Sequence, residues 1–139
     1  MDASKLLVST IIGAVAMFVS GFLIFGLLLP AIGMDPPVHD CITPEDQQSI
    51  IWPILSNLGW GFLVSYIFIK WAGISTFKTG FKAGATLGFI LGLLFAIAFV
   101  SSLNNVYDNT MFPVAAIGFA IIMGLGGGAI GWNLGRGKE

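Results

Sequence analysis

Six side chains able to bind a metal or move a proton crowd one short stretch: Asp35, His39, Asp40, Cys41, Glu45 and Asp46. Carboxylate, imidazole and thiolate are the usual ligands of Zn²⁺ and its neighbours. Their spacing argues against a site, because adjacent loop residues rarely converge on one ion and no recognised ligand spacing is present. The expectation is therefore no metal. His39 is the chain's single histidine, so no imidazole pair is available for a haem and no histidine lies in an apolar run to ligate a chlorophyll. Cys41 is the single cysteine, so any disulfide would have to join two chains, and a free thiol is expected.

Two further features resemble chemistry. The string GLGGGAIGWNLG (124–135) looks like a dinucleotide fingerprint, but it lies inside an apolar run and follows no strand, the context that motif requires. Asn57 follows Pro53 by four residues. A helical proline frees a carbonyl one turn earlier, so Pro53 and Asn57 together suggest a kink with a small polar notch. The plainer reading of Asn57 is an interhelical hydrogen bond worth roughly 0.6–2 kcal/mol. Lys70, Lys78 and Lys82 suit contact with anionic lipid headgroups, at about 1 kcal/mol each. No catalytic triad, HExxH or phosphate-binding loop occurs, so neither an enzyme nor a cofactor is expected. Proton-coupled transport normally needs an ionisable group inside the membrane, and only Lys82 reaches even one turn into an apolar run.

The elements that position these residues follow from composition. Of 139 residues, 56% are hydrophobic and 9% charged, with a mean hydropathy of +0.93. Soluble domains carry about 25% charged residues, and a membrane-crossing helix needs about 20 mostly apolar ones. Four segments qualify, at about 6–32, 50–71, 81–103 and 112–134. The sequence predicts an all-α integral membrane protein, one domain over residues 1–139, with four transmembrane helices in two antiparallel hairpins. Pro30 and Gly33 should end the first helix, and Thr43-Pro44-Glu45-Asp46 reads as a helix start. Gly73 should close the second helix, Ser75 or Thr76 should cap the third, and Asn109 or Thr110 the fourth. The short link between the second and third helices implies that these two pack against each other.

Charge gives the orientation. Lys5, Lys70, Lys78, Lys82, Arg136 and Lys138 fall on one side of this arrangement, and Asp35, Asp40, Glu45, Asp46 and Asp108 on the other. The positive-inside rule then puts both termini in the cytoplasm. Trp52 and Tyr107 near one face, with Trp71 and Trp132 near the other, fit interfacial belts. So few basic residues make no phosphate-binding stripe, which excludes nucleic acid as a partner.

Glycine is the remaining pattern. Gly80, Gly84, Gly88 and Gly92 recur every four residues, and Gly124, Gly128 and Gly131 share a helix that also carries Gly127 and Gly135. In lipid, helices associate by close van der Waals contact, which small residues permit. Residues four apart lie nearly above one another, so the four glycines form one smooth groove. Ser9, Gly13, Ala16 and Ser20 in the first span, and Asn57, Gly61 and Ser65 in the second, give each of those a small face too. Such faces serve either the chain's own bundle or a partner.

The stretches KLLVSTIIGAVAMFVSGFLIFGLLL (5–29), SYIFIKWAGISTFKTGFKAGATLGFILGL (65–93) and GGGAIGWNLG (126–135) resemble a family of small uncharacterised bacterial four-helix inner-membrane proteins. That resemblance implies the bacterial inner membrane and brings no activity. The function expected is a structural or accessory subunit that packs against other membrane helices through its glycine faces. The alternatives are a homo-oligomeric channel or facilitator, and a lipid-binding or lipid-modifying protein using the notch at Asn57. Membrane lipids, other membrane subunits or further copies of the chain are the partners implied.

Overall fold

The computed structural model describes residues 3–34, 47–102 and 109–136. The readings made on Asp35, His39, Asp40, Cys41, Thr43–Asp46, Tyr107, Asp108 and Lys138 lie outside them.

Four helices are long and apolar enough to cross a membrane: α1 (Ala3–Ala31), α2 (Ile51–Ala72), α3 (Phe77–Ser102) and α4 (Met111–Gly135). The described residues form no strand. Helix is the structure this composition must choose, because hydrocarbon offers no partner to an open backbone N–H or C=O. Each helix begins and ends within a few residues of its predicted span.

Local signals explain the ends. Gly73 stops α2 in the left-handed conformation (φ 59°, ψ 24°), which a Cβ would disfavour. Thr76 caps α3: its hydroxyl accepts the Thr79 N–H at 3.2 Å. Pro30 does not end α1. The helix runs through it to Ala31, and Gly33 (φ 80°) follows. The proline ring cannot pack against the carbonyl four residues back. Over Phe22–Leu28 the ladder widens to π-helix, which accommodates it. A second π segment, Phe68–Ala72, closes α2.

Pro53 lies in the first turn of α2, where a missing N–H breaks no intrahelical bond. Pro113 occupies the same third position of α4.

Close backbone contacts join α1 to α2, α3 to α4, and α1 to α4. Helix α4 is thus the centre of the bundle. In its most apolar stretch 56% of residues are buried, against 22% in each of the other three. Along α1 and α4 the contacts pair Gly13 with Ile130, Met17 with Gly126 and Phe25 with Gly118, so the two run antiparallel. Contacts between α3 and α4 descend in the same sense, from Gly80 with Gly127 to Gly92 with Ala115. The short link after Gly73 does not, however, make α2 and α3 a packed pair. They have little backbone contact and meet through rings such as Trp60 against Phe95, whose centroids are 6.3 Å apart. The glycine face of α3 is filled by α4, while the small face of α2 at Gly61 seats on α1, and proximity in sequence loses to these contacts. Met17, Val64, Phe68, Met123, Ile130 and Leu134 fill the middle.

Candidate functional site

The glycine face of α3 is occupied by α4. Gly80, Gly84, Gly88 and Gly92 are all buried. A Cβ built on any of them would run into a backbone carbonyl of α4: Gly127 at Gly80, Met123 at Gly84, Phe119 at Gly88 and Ala115 at Gly92. The same Cβ atoms would stand 3.2 Å from Gly127 Cα at Gly84 and 2.9 Å from Ala116 Cα at Gly92. Only a hydrogen fits at this separation. The returning face of α4 is used equally. Gly124 faces Phe81 and Ala85, Gly128 faces the Phe77 ring, and Gly131 faces Thr76 and Gly80. All seven predicted packing glycines therefore meet within one chain, at one interface.

The other small faces are spent in the same way. Gly61 of α2 seats against the Thr10 carbonyl and Ala14 of α1, and Gly13 of α1 against Ile130 of α4. Gly59 alone among the interior glycines of α2 has open space beside it.

The Asn57 side-chain amide donates to the Pro53 carbonyl of its own helix at 2.8 Å, rather than to another helix. Lys70, Lys78 and Lys82 are exposed, as headgroup contact requires. The guanidinium of Arg136 lies over the Trp132 ring, 3.9 Å from its centroid, which holds that tryptophan at the same end of the bundle.

Sequence reasoning missed a small set of polar side chains between α1, α2 and α4. Asn133 donates to the buried Ser9 hydroxyl at 3.0 Å, a contact between residues 124 apart in sequence. Ser20, also buried, donates to the Ala16 carbonyl at 2.7 Å. Thr10 and Ser65 are buried with hydroxyls that meet no partner. Asn133 was legible as an amide in an apolar span, the kind of residue that bonds across helices. Thr10 carried no such signal, since threonine often satisfies itself on its own helix.

Chemically the arrangement is spare. Among the described residues no three His, Cys, Asp or Glu side chains gather to hold an ion. The described cationic side chains, Lys5, Lys70, Lys78, Lys82 and Arg136, are all exposed. What the sequence and fold assemble is a set of close helix contacts among four helices long and apolar enough to cross a membrane. Compared with protein-family models, curated proteins and solved structures, the chain gives no match.

Proposed function

We propose that this chain is a structural or accessory subunit of a larger membrane assembly, without chemistry of its own. One observation carries the reading. None of the described residues in 22–34 and 47–60 is buried by the chain itself. That stretch covers the last third of α1 and the first half of α2, and it includes Phe22, Leu23, Leu28, Ile51, Trp52 and Leu55, each at least half exposed. The glycine faces are consumed within the bundle, so the partner contact belongs to this outer half of the α1–α2 pair instead. The compact α3–α4 pair then serves as the scaffold that holds α1 in place.

In the same reading the protein sits in a bacterial inner membrane. Both termini are cytoplasmic, because every lysine and arginine falls on one side of the four spans. Neither the channel nor the lipid-modifying alternative has an observation in its favour. The glycine grooves are closed by backbone, and the Asn57 amide is turned onto its own helix.

Photo-crosslinking in native membranes tests the proposal. A photoreactive residue at Leu55, on the open half of α2, should give a discrete protein adduct. The same residue at Ile90, equally exposed on α3, should give lipid adducts only. Lipid adducts alone at Leu55 would refute the accessory role.

A further inference from the structure

Two hydroxyls in the α1–α2 contact stand apart from the other buried hydroxyls among the described residues. Ser9 is bonded to Asn133 and Ser20 to its own helix. Thr10, 8% exposed, and Ser65, wholly buried, have no hydrogen-bond partner. Both belong to one interface. Gly61 lies one turn before Ser65 on the same face of α2, and a Cβ there would press on the Thr10 carbonyl and stand 2.9 Å from Ala14 N.

A serine or threonine in a helix can satisfy itself by donating to the carbonyl four residues back. Ser20 does this, and so does Thr86, at 2.9 Å from the Lys82 carbonyl. Thr10 and Ser65 do not. Leaving a buried hydroxyl without a partner costs about 1–3 kcal/mol, which rotation about a single side-chain bond would relieve. The two hydroxyls are therefore left to a partner outside the protein. Each hydroxyl both donates and accepts, and a water molecule offers two donors and two lone pairs.

We infer that a single buried water bridges Thr10 Oγ1 of α1 and Ser65 Oγ of α2. The pair is a water site that fastens α2 to the bundle by exchangeable bonds, whereas α3 is fixed to α4 by direct backbone contact.

Water-edited solid-state NMR of the full chain in lipid bilayers tests this. Polarisation from water should reach the Ser65 and Thr10 side chains, while the adjacent Val64, wholly buried, stays dark. Thr10→Val keeps the side-chain shape and removes one anchor, so it should abolish the Ser65 signal and lower the melting temperature. A Ser65 side chain as dark as Val64 in the unmodified protein overturns the inference. So does a Ser65 signal that survives Thr10→Val, or a melting temperature raised by that substitution.

Discussion

Substituting Gly88 probes the contact on which the bundle depends. A methyl at this position would lie 2.7 Å from the Phe119 carbonyl carbon and 2.9 Å from Met123 Cβ, where ordinary contact begins at 3.4 Å. The obstacle is backbone, which cannot swing aside as a side chain can. The Phe119 carbonyl oxygen lies closer still, so the two helices must part by roughly 1 Å, and a gap of that size forfeits about half of each affected dispersion contact. Overpacking of this kind costs about 1–3 kcal/mol. Alanine recovers up to about 1 kcal/mol through its better helix propensity, so Gly88→Ala should lose about 1–2 kcal/mol. Gly88→Leu, which must also place its branched end, should lose about 3 kcal/mol or more. Reversible unfolding in mixed micelles, followed by circular dichroism, measures both. Gly59→Ala is the control: nothing lies within 4 Å of its added Cβ, so it should gain up to about 1 kcal/mol. Ile90→Ala, on the exposed side of α3, should change stability little. If Gly88→Leu unfolds with the unmodified protein, α4 does not occupy the groove. If it keeps its stability but loses self-association, the groove belongs to a second chain.

Three other outcomes are expected. In a cysteine-free variant, single cysteines placed in 34–48 and 104–110 should be labelled by an impermeant reagent from outside, and those in 74–77 only after permeabilisation; labelling of 74–77 from outside would refute the four-span arrangement. Asn133→Leu and Ser9→Ala should each cost roughly 0.6–2 kcal/mol, with the double variant no worse than the Asn133 single, as a shared interhelical bond requires; additive losses in the same unfolding assay would show that the two side chains do not interact. Pro53→Ala should leave helix content and stability nearly unchanged, because Pro53 occupies the first turn of α2; a large loss would restore the kinked notch.

Several features were legible residue by residue, and each for a local reason. Four apolar runs give four helices, because length and hydropathy alone decide whether a segment can lie in hydrocarbon. Gly73 and Thr76 mark the turn between α2 and α3 through properties of single residues, a tolerated left-handed conformation and a side-chain oxygen one turn from an open N–H. The fourfold spacing of Gly80, Gly84, Gly88 and Gly92 announced a surface for close approach. It did not say which helix approaches, since any smooth helix face would satisfy it.

Tertiary structure made that choice. It seated α4 in the groove, where the glycines of α4 let its carbonyls come close, and seated the small face of α2 on α1, which left the sequence neighbours α2 and α3 touching mainly through rings. Nor was the fate of the polar residues readable locally. Asn57 looked outward-bonding and turned to Pro53, while Asn133 found Ser9 across the bundle. An amide takes whichever acceptor lies within reach, and reach across helices is fixed only when the helices have packed. The sequence alone determined that the chain makes four membrane-length helices with small faces; the packing of α1, α3 and α4 decided that those faces close on each other, because lipid rewards only the tightest fit.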